Sequence, residues 1–284
     1  TQIKPIKVVV DAGNGMAGLT AHSVLGSLVE VIGLYLELDG LFPNHQPNPL
    51  IPENLVDAQR AVIGQQADLG LVFDGDADRC FFIDERGEVV DPSAITALIA
   101  AEVLRHDPGA AIVVNSITSR ATQEHIRQLG GRVVVSPVGH SFIKTHMANE
   151  QAVFGGEHSG HFYFRNFWGA DTGMLAALNV IALLGRGAAS MSALVADLPR
   201  YAASGEINTA VANPRELMSQ VEQSFAAQGE VDHRDGLLIH TPDWWVSVRM
   251  SNTEPLLRLN VEAKTAEKMT ALRDQALAVI RKEN

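Results

Sequence analysis

The stretch Asp74-Gly75-Asp76-Ala77-Asp78-Arg79 follows the apolar run Leu69–Phe73 and decides how the chain is interpreted. Three carboxylates so close in sequence repel one another unless a cation lies between them, and a hard divalent cation such as Mg²⁺ prefers oxygen ligands. Arg79 adds a guanidinium that can bind an anion with two hydrogen bonds. The stretch therefore predicts a metal site at Asp74, Asp76 and Asp78 beside an anion contact, a combination typical of phosphate chemistry.

The loop must curl to bring its carboxylates together. In an extended strand, alternate side chains stand roughly 6.6 Å apart at each step, which is too far to share one small ion. Glycine tolerates backbone conformations that other residues avoid. We therefore expect Gly75 to supply the curl.

Three other interpretations of this loop remain open on the sequence. In an EF-hand counted from Asp74, Glu85 falls on position 12, but position 6 is Arg79 instead of glycine and Cys80–Ile83 reads as a strand. Asp74 could instead be the nucleophile of an aspartyl-phosphate phosphatase. An acidic solvated turn is the third, although a turn requires neither a third aspartate nor the arginine.

Composition excludes several classes of protein. The 284 residues suffice for two or three domains. The chain holds 22 Lys and Arg against 33 Asp and Glu, for a net charge of −11, and this acidity argues against nucleic acid as a partner. The longest apolar stretch, residues 24–38, is interrupted by Ser27 and Glu30, so no membrane span is expected. The single cysteine, Cys80, rules out an internal disulfide and fits a reducing, cytoplasmic compartment.

The order of apolar runs predicts an α/β protein. Strand-like and helix-like segments alternate for about the first 190 residues, as in parallel α/β layers, whereas strands follow one another from residue 207 until a last helix capped by Thr265. We expect two mixed α/β layered domains, residues 1–90 and 91–203, followed by a small α+β C-terminal domain, residues 204–284. Residues 202–205 are interpreted as a linker. Within the first domain, the pattern predicts a helix near residues 20–32 and a strand over 35–38.

A glycine-rich stretch near the start resembles a nucleotide-binding fingerprint. Residues 13–18 follow a strand, open a helix and precede Glu37 and Asp39 by about twenty residues. Asp11, however, would put a carboxylate where a pyrophosphate should approach. A structural glycine turn is the favoured interpretation, with nucleotide binding as the alternative.

Residues 155–161 hold the second candidate site. A carboxylate, a hydroxyl and two imidazoles lie between glycines, so Glu157, Ser159 and His161 can offer acceptors and donors to the vicinal hydroxyls of a sugar. The alternative is a purely structural turn. A buried Glu157 without a partner would be costly, which favours a binding role.

His140 stands between a predicted strand and a helix. Its position suits proton transfer, with Lys144 or the helix N-terminus facing an anion. The sequence alone leaves open whether His140 is a base or a packed or capping residue.

The segment 249–255 lies between two strands of the last domain. Arg249, Ser251, Asn252 and Thr253 supply a guanidinium, hydroxyls and an amide that can bind a phosphate. The alternative is a polar hairpin loop with an outward arginine.

Taken in order, the stretches 74–79, 139–141, 156–161 and 249–255 resemble the α-D-phosphohexomutase family, most nearly its bacterial phosphomannomutase/phosphoglucomutase group. The resemblance implies a four-domain enzyme that interconverts hexose 1- and 6-phosphates through a phosphoserine and a hexose 1,6-bisphosphate. It implies Mg²⁺ at Asp74, Asp76 and Asp78, and Arg79 among the catalytic residues. It also implies sugar contacts at Glu157 and Ser159, and a clamp on the distal phosphate at residues Arg249, Ser251, Asn252 and Thr253.

Two departures from the family pattern lead to further expectations. The family's phosphoserine lies in a Ser-His loop of the first domain, and no Ser-His-Asn stretch occurs here. We therefore expect the chain to hold domains two to four, to require the missing N-terminal domain as a partner and to be inactive alone. The family's catalytic lysine has no clear counterpart in residues 115–120, so Arg120 or His140 is expected to substitute.

Two functions from different classes follow. One is the body of a phosphomannomutase, with phosphoglucomutase as the close variant; the other is a non-catalytic sugar-phosphate-binding module. His158 and residues 162–165 resemble phosphomannomutases more than glucosamine mutases, and this resemblance favours mannose without deciding against glucose. Both functions take small hexose phosphates as ligands.

Overall fold

The computed structural model describes residues 5–187, 189–251 and 255–282. The chain divides into two compact units, residues 1–199 and 200–284. Within the described ranges, the first unit contains two five-stranded sheets and the second contains one six-stranded sheet. The α/β class is confirmed, whereas the division into three domains, with boundaries near residues 90 and 203, stays a prediction. Among the described residues, no helix is both long and apolar enough to cross a bilayer.

The first sheet is built from residues 7–90. Its elements are β1 (Lys7–Asp11), α1 (Ala17–Leu25), β2 (Glu30–Leu34), α2 (Val56–Gln65), β3 (Leu69–Phe73), β4 (Cys80–Ile83) and β5 (Val89–Val90), in the strand order β2-β1-β3-β4-β5. The strands β1, β2 and β3 are parallel, while β4 and β5 are antiparallel to their neighbours. The carboxyl ends of β1 and β3 therefore meet at one edge, which is where the acidic stretch begins.

The second sheet repeats this plan. Its elements are α3 (Pro92–His106), β6 (Ala111–Asn115), α4 (Arg120–Gln128), β7 (Arg132–Ser136), α5 (His140–Asn149), β8 (Phe154–Gly156), β9 (Phe162–Phe164), β10 (Ala170–Asp171), α6 (Gly173–Arg186) and α7 (Met191–Ala196), in the strand order β10-β9-β8-β6-β7. The strands β6, β7 and β8 are parallel. Fully buried residues of both sheets, among them Val8, Leu71, Phe82 and Val114, belong to one continuous apolar core.

The second unit is an antiparallel sheet with two helices. Its elements are β11 (Ala202–Ala203), β12 (Ile207–Ala210), α8 (Pro214–Phe225), β13 (Glu230–Asp232), β14 (Leu237–His240), β15 (Trp244–Met250), β16 (Leu256–Ala263) and α9 (Ala266–Ile280). The predicted cap of the last helix is confirmed, because the Thr265 side chain accepts from the backbone N–H of Lys268. The helix α8 has no counterpart among the sequence predictions.

Three local predictions are wrong. The helix expected near residues 20–32 ends at Leu25, and the strand expected at 35–38 lies earlier, at Glu30–Leu34. The apolar run in this region fits both the helical period of 3.6 residues and the strand period of two residues. Residues 30–34 form a strand because they pair in register with β1. Tyr35 then leaves the strand with a left-handed φ of 51°. Residues 202 and 203 are also no simple linker, because they pair with β16 as β11.

The glycine turn at residues 13–18 supports the acidic stretch. The Met16 N–H donates to the carbonyl oxygen of Gly75 at 2.9 Å. A Cβ on Gly15 would lie 2.6 Å from that same oxygen, and one on Gly18 would lie 2.0 Å from the Leu36 oxygen. The glycines are therefore explained by backbone packing, as the structural interpretation of this turn predicts.

We expect Gly15→Ala to lower the free energy of unfolding by about 1–3 kcal/mol, because the new methyl group would clash with backbone atoms of Gly75. Gly64→Ala in α2 is the matched control. A Cβ there meets no atom within 4 Å, and alanine is the better helix former, so a gain of about 0.4–1 kcal/mol is expected. Urea unfolding of both variants measures the difference. Equal stabilities of the two variants would contradict this account of Gly15.

Candidate active site

The acidic loop, residues 74–79, curls at the edge of the first sheet between β3 and β4. One carboxylate oxygen from each of Asp74, Asp76 and Asp78 lies within 4.8 Å of the other two. The left-handed residue of the loop is Ala77, with φ 65°, so the prediction that Gly75 supplies the curl is wrong in this detail. The predicted gathering of the three carboxylates is what the structure has.

Positive groups offset the repulsion within this loop. The Arg79 Nε donates to Asp74 at 2.6 Å, and the Arg79 backbone N–H donates to the same carboxylate at 3.1 Å. Burial nevertheless raises the pKa of Asp74, and Arg79 offsets only part of this effect. On the other side, the hydrogen bond from His161 lowers the pKa of Asp78. The loop thus carries more negative charge than its own partners neutralise.

The donor set fits a divalent cation. It consists of carboxylate oxygens only, which are the ligands that hard cations prefer. Asp74 is buried, but Asp78 is half-buried and Asp76 is exposed, so an ion can reach them from solvent. The arrangement is therefore able to hold a metal ion with oxygen ligands from Asp74, Asp76 and Asp78.

The second candidate stretch, residues 156–161, lies directly against the acidic loop. Arg79 and His161 form an isolated antiparallel bridge, and the Cys80 N–H donates to the Gly160 oxygen at 3.1 Å. Gly160 has φ 85°, and a Cβ there would lie 2.6 Å from the Phe81 ring. Only glycine satisfies both conditions without strain. The fold thus brings together two motifs that are about eighty residues apart in sequence.

His161 joins the two motifs through its side chain. Its Nε2 lies 3.4 Å from an Asp78 oxygen, and its Nδ1 lies 2.8 Å from the Ser159 Oγ. Burial lowers the pKa of His161, but the hydrogen bond to Asp78 and the charges of Glu157 and Asp171 outweigh it, so the net direction is upward. Asp171 also pairs with Lys144 at 2.8 Å. An imidazole here can exchange a proton with a group bound between the loops.

Glu157 is buried and held by several donors. The Tyr163 hydroxyl donates to its Oε1 at 2.5 Å, while the Gly139 N–H and the Asn115 amide donate to its Oε2 at 3.3 and 3.5 Å. The buried carboxylate has the partners that its burial requires. Burial and the Glu157 charge in turn raise the pKa of Tyr163. Glu157 is thus fixed in orientation before any ligand arrives.

The two candidate substitutes for the family's lysine begin neighbouring helices. Arg120 is half-buried at the start of α4 and His140 is exposed at the start of α5. These helices follow the parallel strands β6 and β7, and β8 leads directly into Glu157. Arg120, His140 and Glu157 therefore all lie beyond the carboxyl ends of parallel strands, at one edge of the second sheet. In open α/β sheets, ligands bind at this edge.

In the second unit, Arg249 lies on β15 opposite Arg258 of β16. The Arg249 Nη2 donates to Glu206 at 3.1 Å, and the Arg258 Nη1 donates to the other oxygen of Glu206 at 3.5 Å. Ser251 is half-buried at the end of the strand. Asn252 and Thr253 lie outside the described residues. Glu206 therefore accepts from both guanidiniums, one at each of its carboxylate oxygens.

The sequence predictions did not include Asn48, whose side chain contacts Arg79 of the acidic loop. Asn48 accepts from the Arg79 Nη1 at 3.4 Å, and it belongs to a long connection between β2 and α2. Three prolines and a histidine in residues 43–49 are the signal that could have drawn attention to this segment.

Three protein-family models match consecutive segments of the chain. Models of domains II, III and IV of phosphoglucomutase/phosphomannomutase match residues 1–87, 91–201 and 206–279. This chain belongs to the phosphoglucomutase/phosphomannomutase family. It carries the sequence of that family's domains II to IV.

Individual members of the phosphoglucomutase/phosphomannomutase family cover nearly all of the chain. It is 40% identical over 289 residues to a phosphomannomutase of Escherichia coli K12, which matches 99% of this chain and 63% of the relative. A crystal structure of a family protein from Burkholderia thailandensis has a TM-score of 0.89 at 33% identity, covering 100% of this chain and 62% of that one. The chain thus spans about 60% of the length of the relatives it matches.

A more distant solved structure agrees in fold. It is an Aspergillus fumigatus N-acetylphosphoglucosamine mutase in complex with GlcNAc-6P and magnesium. The TM-score is 0.70 at 14% identity, with 98% of this chain and 66% of that one covered. At this identity the likeness establishes the fold alone.

We expect Tyr163→Phe to lower the free energy of unfolding by about 1.5–3 kcal/mol, because the buried carboxylate of Glu157 loses its shortest hydrogen bond. Tyr35→Phe is the control, since its hydroxyl donates to Asp57, whose side chain is 47% exposed, and a loss under about 1 kcal/mol is expected. Thermal unfolding of both variants tests the comparison. A larger loss in Tyr35→Phe would mean that Glu157 does not depend on Tyr163.

Proposed function

We propose that this chain is the body of a phosphohexomutase of the phosphomannomutase type, which interconverts hexose 1-phosphates and 6-phosphates through a phosphoserine and a hexose 1,6-bisphosphate. The observation that carries the proposal is the direct contact between the acidic loop and residues 156–161, made through Arg79, Gly160 and His161. This contact brings the carboxylates proposed to bind the metal, the guanidinium proposed to contact an anion and the side chains proposed to contact the sugar close together. The phosphoserine is expected from a domain outside these 284 residues.

Asp74, Asp76 and Asp78 are the residues that would hold Mg²⁺. The bound ion supplies electrostatic stabilisation for phosphoryl oxygens. Arg79 is placed to share that work because its guanidinium adjoins the loop. Phosphoryl transfer depends mainly on positioning and charge stabilisation, which is what these four residues can provide.

Sugar hydroxyls are proposed to contact Glu157 and Ser159. Glu157 is held in one orientation by the protein, so its remaining lone pairs point in fixed directions. Ser159 and His161 form a hydrogen-bonded pair beside it. Removal of the proton from the reacting hydroxyl is assigned to the imidazoles at this edge of the sheet, His161 and His140. Arg120 is proposed to act there as a fixed positive charge.

Arg249, Ser251, Asn252 and Thr253 are proposed to hold the phosphate that does not react. A single anchor of this kind lets the sugar bind in two orientations and present either end to one phosphoryl donor. Mannose is the proposed sugar, because the E. coli relative is named a phosphomannomutase. The proposed domains are residues 1–90, 91–203 and 204–284, and a cytoplasmic location is proposed from the single buried cysteine, Cys80.

A non-catalytic sugar-phosphate-binding module is the second candidate. The observation that favours it is the absence of a Ser-His-Asn stretch from the sequence. Such a module would bind hexose phosphates through the same residues but would not become active when a donor domain is added.

We expect Mg²⁺ to bind the 284-residue chain, and Asp76→Asn to weaken that binding at least tenfold. Two unit charges about 4 Å apart interact by about 4 kcal/mol at an effective dielectric constant near 20, so one carboxylate matters even when it is exposed. Titration calorimetry measures the affinity. Asp197→Asn, at an exposed position after α7, removes the same charge and should leave the affinity unchanged. Equal weakening in both variants would mean that the ion is attracted only by net charge.

We expect no turnover from the 284-residue chain alone with mannose 1-phosphate, Mg²⁺ and catalytic glucose 1,6-bisphosphate, because no phosphoryl donor has been assigned in it. Joining the first domain of a phosphomannomutase relative to its N-terminus should give mannose 6-phosphate. Arg79→Ala in that fusion should abolish the gain. A fusion that still binds mannose 6-phosphate without turnover would support the binding module instead. Sustained turnover by the chain alone would place the donor within it and overturn the proposal.

A further inference from the structure

Residues 41–50, here named the strap, cross the carboxyl edge of the first sheet beside the acidic loop. Pro47 lies where a Cβ on Gly13 or on Gly75 would meet it at 3.4 Å, so the strap packs on both the glycine turn and the acidic loop. Three prolines limit its conformational freedom. The strap therefore packs over this edge with little conformational freedom of its own, and it belongs to none of the four motifs at 74–79, 139–141, 156–161 and 249–255.

Both ring nitrogens of His45 have hydrogen-bond partners, and the contact at Nε2 fastens the strap to Asp11 of β1. Its Nδ1 lies 2.9 Å from the carbonyl oxygen of Gln46, and its Nε2 lies 3.2 Å from each carboxylate oxygen of Asp11. A carbonyl and an ionised carboxylate only accept hydrogen bonds, so both nitrogens must donate. An imidazole with two N–H groups is an imidazolium.

The surroundings favour this charged form. Asp11 is fully buried at the end of β1 and also accepts from the Gly13 N–H at 2.9 Å. The hydrogen bond to Asp11 raises the pKa of His45, burial opposes it, and the Gln46 carbonyl and the Asp57 charge add to the rise. The Tyr35 ring packs edge-on against the His45 imidazole, with 5.4 Å between the ring centroids, and the Tyr35 hydroxyl donates to Asp57. A buried carboxylate without its cation would be costly, so the pair is mutually dependent.

Asn48 carries the effect of the strap to the active site. Its side-chain oxygen accepts from the Arg79 Nη1 at 3.4 Å and from the Leu50 N–H at 3.2 Å. Its backbone oxygen accepts from the Asn54 amide at 2.8 Å and from the Ile51 N–H at 3.2 Å. The guanidinium of Arg79 is therefore held by the acidic loop at Nε and by the strap at Nη1.

We propose that protonated His45 latches the strap to Asp11 and that the latched strap, through Asn48, orients the guanidinium of Arg79. His45 and Asn48 are then positioning residues. That an oriented Arg79 guanidinium helps to bind phosphate rests on the proposed function. The contact between His45 and Asp11 does not depend on it. Since the pKa of His45 is raised in the folded protein, the latch contributes fully below the ordinary histidine value and is lost as pH rises through the raised value.

The test uses the 284-residue chain without added metal or sugar phosphate, labelled with ¹⁵N. Imidazole ¹⁵N shifts should show both His45 nitrogens protonated at pH 6.5, with a titration midpoint above the ordinary value of about 6.5. As pH rises through that midpoint, the amide protons of Leu50 and Ile51 should lose at least about tenfold in protection beyond the intrinsic base catalysis of exchange. A single protonated nitrogen on His45 throughout would overturn the latch.

Variants separate the latch from the positioning. His45→Gln keeps the size and one donor but cannot carry charge, so it should show the tenfold loss of protection at every pH, whereas His22→Gln on the exposed side of α1 should not. Asn48→Ala should shift the Arg79 ¹H–¹⁵Nε signal. Asn44→Ala is its control, because the Asn44 amide donates to Asn14 instead of lying on Arg79.

Two outcomes contradict the positioning half of the proposal. One is an unchanged Arg79 Nε signal in both Asn48→Ala and His45→Gln; the other is an equal shift in Asn44→Ala. If His45→Gln fails to fold, the titration of the unaltered chain decides the latch and Asn48→Ala decides the positioning. Failure of the phosphomutase proposal would leave all of these signals as expected, because none of them involves a substrate or a metal.

Discussion

Mutual repulsion among three aspartates, Asp74, Asp76 and Asp78, constrains the structure of the first unit. Their oxygens lie within 4.8 Å of one another, and pairs of unit charges at about 4 Å repel by about 4 kcal/mol at an effective dielectric constant near 20. Arg79 and His161 offset part of this cost from opposite sides. The loop is therefore strained electrostatically in a way that a bound cation would relieve, as expected of a functional site.

Backbone contacts hold the loop closed against that repulsion. A Cβ would come within 2.7 Å of loop or strand atoms at each of Gly15, Gly160 and Gly173, which approach the segment 75–81 from three parts of the chain. The Gly173 N–H also donates to the Ala77 oxygen at 3.3 Å. Close approach of main chains is possible only where side chains are absent. This explains why the glycine turn at residues 13–18 imitates a nucleotide-binding motif while contacting a metal loop instead.

The sequence was sufficient for features whose cause is local. Alternating apolar runs predicted most strands and helices, and the spacing of the three aspartates predicted their cluster. It failed where tertiary contact decides, as when register with β1 made a strand of residues 30–34. The left-handed Ala77 and the strap had no local signal of comparable strength. The partners of Glu157 could not be predicted either, since Asn115, Gly139 and Tyr163 come from separate elements.

Preorganisation connects these observations. Glu157 is held by three donors, Arg79 is held by Asp74 and Asn48, and His161 is held by Asp78 and Ser159. Groups fixed in this way lose little freedom when a ligand binds, so more of the interaction energy is available for orientation. Each of these residues is held by at least one partner from outside its own loop. The chemistry of the site is therefore a property of the whole first unit, and a substitution at Gly15 or Tyr163 can disturb it without touching a ligand.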